Sequence, residues 1–551
     1  MFTINVQNNS NIKKYVLTYA IMILCFAVIG FLVPDVSDIR EDVGDYTREA
    51  VRDEITAYVT AEVLYEDPYA TPEDIAYYVA EAIEEEVNAA VYSAIGAEFG
   101  ILVMIPAIFL LAFIFITKRI IEGLTLAIVL GLVMAYKGEF FEVFNETVLE
   151  VLMSEDMSWL IIVCGLMGGV VAVIEKSGGA FAFGDVAVRI AKSARPTLFA
   201  TMFCSVLLSI DDYLNALTCG AAMTPVNDKH NTPREMTAYV VDSTSVPTCV
   251  LNPISTWALF IGGLMVAAGL GDHGDQVLTY MQAIPYLFYA MSTLLVVILV
   301  SAGIIPIFGP MKGAFKRVRE GGPLAPAGSE RIDIRSGQAG FEIPENPKLM
   351  NFFAPIIILV GATILFEFDM QMGVITAVGF NFLFFVFQGM EPMDYVDEVL
   401  RGLKNMLMPI FMVVLAFSFA EMSEQTGFIY WVVEVATANV TPAMLPVTIF
   451  LVFAFTEFIM GISWGMYAIA IPIAVPVAYS LGVDPFIAVG AVISAGAWGA
   501  HSCFYSDSTI LVSASTGTEN FRHAITQIPF GLIGAIIAVI GYIVLGVAIY
   551  G

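Results

Sequence analysis

Two stretches carry the same charged tripeptide against apolar residues: VVDSTSVP at 240–247 and YSDSTILV at 505–512. Three more carboxylates share that setting, Asp211 and Asp212 in SIDDYLNALTCG (209–220) and Glu457 in FTEFIMGISWG (455–465). A carboxylate in the bilayer core is expensive and persists chiefly where it faces a cavity, a partner or an ion. The runs that hold Asp211, Asp212, Asp242, Glu457 and Asp507 contain no lysine or arginine to neutralise them, so a cation must do it. Na+ is hard and prefers oxygen ligands, which Asn215, Thr218, Ser243, Thr244, Ser463, Ser506, Ser508 and Thr509 can supply together with carbonyls freed at Gly and Pro breaks. We therefore expect Na+ at Asp212, Asp242 and Asp507, with Asp211 and Glu457 beside them. A carboxylate withdrawn from water also holds a proton more readily, so H+ can replace the departing ion. His501 offers either a proton relay or a satisfied interior imidazole. No covalent step and no cofactor is needed.

The elements that must position these groups follow from composition. With 551 residues, 58% hydrophobic, 14% charged and a mean hydropathy of +0.81, the chain falls in the polytopic membrane class. Windows of about 20 apolar residues recur near 15–34, 100–117, 119–137, 158–175, 236–263 and 280–309, and again near 350–368, 372–389, 405–422, 442–482, 485–500 and 527–550. The six cysteines show no paired metal spacing and read as small hydrophobes. Of the net charge of −28, much lies in residues 35–98, where eighteen acids face three bases. Ile75, Tyr78, Val79 and Ile83 recur there at helical spacing, which predicts a small amphipathic helical insert beside the membrane.

Lys and Arg near span ends favour the cytoplasm, so Lys13 and Lys14 place the N-terminus inside and the acidic insert outside. AFGDVAVRIAKSAR (182–195) is too broken to span and is expected along the interface. Residues 197–228 then leave and return on one side, a re-entrant hairpin whose tip is SIDDYLNALTCG. After a basic, Pro- and Gly-rich linker the pattern repeats: EKSGGAFAF (175–183) is echoed by EQTGFIYW (424–431), SIDDYLNALTCG by FTEFIMGISWG, and VVDSTSVP by YSDSTILV. That pairing sets Asp212 opposite Glu457, Thr218 opposite Ser463, Gly220 opposite Gly465, and one Asp-Ser-Thr opposite the other. Counting crossings makes the halves inverted, the architecture of alternating-access carriers.

The expected fold is thus an all-α polytopic membrane protein with an inverted-topology repeat, two re-entrant hairpins and broken helices. Its parts are a first transmembrane helix (1–34), the acidic extracytoplasmic insert (35–99), a first repeat (100–309), a cytoplasmic linker (310–348), a second repeat (349–526) and a last transmembrane helix (527–551). An intramembrane aspartyl protease is disfavoured, because GAFAFGD (179–185) has Ala182 in place of a glycine and no Tyr-Asp partner lies in a span. A His-Glu-x-x-His protease motif is absent, and hairpins from opposite sides argue against a channel.

The stretch DDYLNALTCGAAMTPVNDKHNTPREMTAYVVDSTSVPTCVLNPISTWALF (211–260) resembles the signature region of the NhaC-type Na+/H+ antiporters, within a wider superfamily of inverted-repeat ion carriers. GISWGMYAIAIPIAVP (461–476) resembles that family's Ser-Trp-Gly hairpin, and GAHSCFYSDSTIL (499–511) its Gly-Asp-His-x-Ser-Pro-Ile-Ser-Asp-Thr-Thr motif, with Ala500 where the family has an aspartate. The resemblance spans roughly 100–550 and implies Na+/H+ exchange by alternating access in a plasma-membrane homodimer, with lipid, Na+ and H+ as partners and no nucleic acid. It also implies an alternative, because the family includes Na+-coupled carriage of small organic acids, and a small organic acid or amino acid is a second substrate class.

Overall fold

The structure is a computed structural model that describes residues 25–66, 71–117, 119–178, 193–272, 274–329, 348–366, 369–460, 463–504 and 506–551. Among these residues the chain is all helical. The order is α1 (Ser37–Glu66), α2 (Pro72–Phe99), α3 (Ile105–Thr117), α4 (Ile120–Tyr136), α5 (Phe140–Met153), α6 (Glu155–Ser177), α7 (Ala194–Leu207), α8 (Asp212–Asp228), α9 (Arg234–Leu251), α10 (Thr256–Ala267) and α11 (Gln276–Ala283). It continues with α12 (Phe288–Ala302), α13 (Gly309–Arg319), α14 (Met350–Leu365), α15 (Met370–Phe387), α16 (Pro392–Gln425), α17 (Phe428–Asn439), α18 (Leu445–Met460), α19 (Ser463–Ser480), α20 (Pro485–Ser502), α21 (Asp507–Thr516) and α22 (Asn520–Tyr550). Two compact units are formed, one from residues up to 151 with 415–439, the other from 152–414 with 440–551.

In the first unit the acidic insert is a helical hairpin of α1 and α2. Thr71 opens α2 with a capping box: its hydroxyl accepts the Asp74 N–H at 3.2 Å while Asp74 accepts the Thr71 N–H at 2.9 Å. Ile83, Val87, Val91 and Ile95, four residues apart, make one buried stripe along α2. Gly44 on α1 lets Val87 and Val91 approach, and Arg48 crosses to Glu84 at 3.0 Å on the wet side. Within the acidic stretch 35–99, residues 37–66 and 72–99 are therefore two packed helices.

The second unit holds the groups singled out for chemistry. Its organising feature is a repeated module: helix, break, helix, turn, helix, break, helix. The first copy is α7–α10 and the second α18–α21. Their helices begin at 194 and 445, 212 and 463, 234 and 485, and 256 and 507, a constant offset of 251 residues. The last helix of each copy is opened by a serine N-cap, Ser255 accepting from Ala258 and Ser506 from Thr509.

This corrects the internal pairing read from the sequence. At the structural offset Asp212 stands opposite Ser463, not Glu457, and Thr256 stands opposite Asp507. Asp242 lies in the middle of α9, whereas Asp507 is the first residue of α21. The two Asp-Ser-Thr tripeptides are thus not equivalent positions. Short polar words recur because hydroxyls and carboxylates suit both a helix start and a helix interior facing polar groups, so word identity misplaces the register that helix breaks reveal.

Other expectations shift in detail. The run 236–263 is two helices bent by 43° at 252–255, where Pro253 removes a backbone donor and Asn252 instead accepts the Ile254 N–H at 3.1 Å. The run 442–482 divides into α18 and α19. The last span begins at Asn520, so a boundary at 527 would cut α22. Among the described residues, six helical stretches are long and apolar enough to cross a membrane, or up to nine if each bent pair is one span, because several of the twelve apolar windows are broken or short. The linker expected over 310–348 starts inside α13, whose Arg317 forms a bidentate pair with Glu235 at the start of α9, both contacts 2.7 Å. The interfacial segment read over 182–195 lies largely outside the described residues, as do most of the first span and linker residues 330–347.

Candidate functional site: two buried carboxylate clusters

The two copies of the module interlock. Helix α21 packs against α8 and α9, because Gly220 on α8 leaves no room for a Cβ beside Ser515, and Ser515 Oγ donates to the Ala216 carbonyl at 2.7 Å. This brings the start of α21 to the middle of α9.

There Asp242, fully buried, accepts from Ser508 Oγ at 2.9 Å on Oδ1, and from Thr509 Oγ1 at 3.2 Å and Gln527 Nε2 at 2.8 Å on Oδ2. His523 Nε2 stands 3.5 Å from Oδ2, and its Nδ1 meets Ser513 Oγ at 2.9 Å. Asp242 belongs to the first copy, Ser508 and Thr509 to the second, and His523 and Gln527 to the helix that follows it. One carboxylate is therefore surrounded by donors from separate parts of the chain. Three of its hydrogen bonds come from neutral groups, which lower the cost of burying the charge without cancelling the charge itself.

The second cluster gathers at the start of α8. Asp211 is its N-cap: Oδ1 accepts the Leu214 N–H at 2.8 Å and Oδ2 accepts Thr256 Oγ1 at 3.0 Å. Asp212 Oδ1 accepts Trp257 Nε1 at 2.7 Å. The Trp257 ring lies 5.5 Å from Trp464 of the second copy, and Trp464 Nε1 donates to Tyr213 at 3.2 Å. Glu457, fully buried on α18, accepts from Ser463 Oγ at 2.8 Å across the second module's first break. The Tyr467 ring of the second copy lies 5.7 Å from the Trp257 ring. The carboxylates thus fall into two buried neighbourhoods, one around Asp242 and one around Asp212, with Asp211 turned to capping.

The expected oxygen ligands divide in the same way. Ser508 and Thr509 touch Asp242, and Ser463 touches Glu457. Ser506 caps α21 and reaches the Ala500 carbonyl, the backbone of the residue that replaces the expected aspartate. Asn215 is used by the hairpin, accepting from Ser205 Oγ at 2.9 Å and donating to the Ser205 carbonyl at 2.7 Å. Thr244 bonds back to Val240 of its own helix. Thr218 and Ser243 are buried hydroxyls with no hydrogen-bond partner among the described residues, and their oxygens suit a hard monovalent cation. The side chain of Asp507 lies outside the described residues. No three His, Cys, Asp or Glu side chains gather as a metal site among the described residues. His501 Nε2 accepts from the Tyr289 hydroxyl at 2.7 Å and Nδ1 meets the Ala497 carbonyl at 3.1 Å.

Gln527 and His523 are not among the residues that the sequence singles out, yet both are fully buried beside Asp242. A signal was available: His523 and Gln527, four residues apart, share one face of a long helix that is mostly apolar.

Residues 340–547 match the model of the Na+/H+ antiporter family. A curated Haemophilus influenzae protein, described only as uncharacterized, is 24% identical over 489 residues, covering 80% of this chain and 90% of its own. Among solved structures, the YdaH transporter of Alcanivorax borkumensis aligns at 11% identity and a TM-score of 0.45 over 75% of this chain and 90% of its own. Neisseria gonorrhoeae MtrF, described with a class of antimetabolite efflux pumps, aligns at 11% identity and a TM-score of 0.46, covering 74% and 85%.

Proposed function

We propose that this chain, a multi-span secondary transporter that carries the Na+/H+ antiporter family region at residues 340–547 and is not an enzyme, exchanges Na+ for H+ across the plasma membrane. The observation that carries this reading is Asp242: a fully buried carboxylate in mid-helix, approached by hydroxyls of the second module copy. Such a group is expensive in lipid unless an ion or proton uses it.

In the mechanism we infer, Asp242 alternates between Na+ and H+, with Ser508 and Thr509 supplying oxygens and the buried Ser243 hydroxyl available beside it. The Asp212 and Glu457 neighbourhood is a second cation or proton position, and Asp507 and His501 are retained as contributors. The helix breaks at 252–255 and 503–506 free backbone carbonyls that suit a dehydrated ion. Inverted copies of the module, moving against the remaining spans, expose the pocket to each side in turn. An unequal exchange would also be driven by voltage, at about 2.3 kcal/mol per charge per 100 mV. We take the working form to be a homodimer with its N-terminus cytoplasmic.

Purified full-length protein in liposomes tests this. Dissipation of a preset pH gradient on adding Na+ alone supports exchange. An absolute requirement for an organic acid or amino acid sinks it in favour of Na+-coupled solute carriage.

A further inference from the structure

Gln527 sits on α22 with its side chain fully buried. Its amide nitrogen donates to Asp242 Oδ2 at 2.8 Å and also to the backbone carbonyl of His501. The His501 carbonyl can only accept, so nitrogen and not oxygen must point at this pair. The amide thus places two partly positive hydrogens between a carboxylate on α9 and a carbonyl near the end of α20. A small dehydrated cation would need that same place, because it too binds by touching several oxygens at once. The break that follows His501, at 503–506, is the second copy's counterpart of the bend at 252–255.

We propose that Gln527 is a tethered stand-in for the cargo: it occupies the cation position at Asp242 when the carrier is empty and must swing aside to admit the ion. This rests on reading Asp242 as the cation site. Two consequences follow from the exchange of partners. Entry of the ion has to break both amide contacts, so the plug weakens cation affinity. Between release of one ion and arrival of the next, the amide keeps the buried carboxylate partnered.

The test is cation binding by the purified full-length protein, read as the Na+ dependence of its melting temperature and by calorimetric titration, with choline chloride holding ionic strength constant. Gln527→Ala, and Gln527→Met as the variant that keeps side-chain volume, should each lower the half-saturating Na+ concentration by about tenfold, the size of one hydrogen bond to a charged group. Unchanged or weaker Na+ binding in both variants, alongside Na+ binding that the wild type shows and Asp242→Asn abolishes, would overturn the plug and leave the site intact. No Na+ dependence in the wild type would overturn the plug together with the reading of Asp242.

Discussion

Ser508 Oγ donates to Asp242 Oδ1 at 2.9 Å although the two residues are 266 positions apart, and the contact joins the two copies of the repeated module. It is made by residues that are not counterparts. The structural counterpart of Ser508 is Trp257, and Trp257 Nε1 also donates to an aspartate, Asp212, within its own copy. Each copy therefore sends the second residue after its N-cap serine to a buried carboxylate, one across the interface and one at home.

Asp242→Asn should abolish Na+-dependent proton flux, by 100-fold or more on the scale of a lost charge site, while leaving expression and gel-filtration behaviour intact. Asparagine keeps the size of the side chain and removes the charge. Wild-type flux in this variant, measured in liposomes, would remove Asp242 from the exchange.

Ser508→Ala and Thr509→Val each delete one hydroxyl donor to Asp242. A hydrogen bond to a charged group contributes about 1.5–3 kcal/mol, so apparent Na+ affinity should change by roughly 10- to 100-fold. A double-mutant cycle with Asp242→Asn, read as melting temperature, should show coupling, because both hydroxyls act through the same carboxylate. Strict additivity would mean they do not.

Trp257→Phe keeps an aromatic ring against Trp464 and removes the donor to Asp212. Transport should fall roughly tenfold at a stability cost of about 1–3 kcal/mol, the penalty for leaving a buried acceptor short of a partner. Trp464→Phe, which loses a longer contact to Tyr213, should be milder. The ranking of the two variants by melting temperature and flux checks this.

Gly220→Ala should destabilise the protein, because the added methyl meets Ser515. Ser515→Gly in the same chain should restore most of the loss by opening the space, although the contact to the Ala216 carbonyl is gone. Rescue read by thermal denaturation would establish that the copies are held at this crossing.

Glu235→Gln should lower the melting temperature, since it leaves the Arg317 guanidinium without its bidentate partner at a position where Glu235 is 2% exposed. The cost should stay below that of a fully buried pair, about 3–5 kcal/mol, because Arg317 is partly exposed and still donates to the Pro323 and Leu324 carbonyls. The loss should shrink when Arg317→Gln is added, and an unaffected melting temperature would assign the pair no structural role.

Much of this architecture was legible in the sequence, and the reasons differ by element. The spans were visible because lipid demands long apolar runs, and helix in the acidic stretch because Ile75, Tyr78, Val79 and Ile83 recur at helical spacing. The helix starts at Asp212 and Ser463 were marked by carboxylates and glycines within apolar sequence. Register was not legible. Asp-Ser-Thr recurs at 242 and 507, yet the helices repeat at another spacing, since one tripeptide is in a helix interior and the other at a helix start. Asp211 and Asp212 could not be ranked until the α8 start showed that Asp211 caps the helix and Asp212 meets Trp257. Gln527 was hidden because an uncharged amide barely dents the hydropathy of a span, and only the fold says which carboxylate it meets.

The constant separation of 251 between matching helix starts says that neither copy has gained or lost a residue between those starts relative to its twin. Deleting one residue from the 229–233 or 481–484 turn would therefore wind the following helix about 100° out of phase with its pocket, which makes those two connections the least forgiving places to edit.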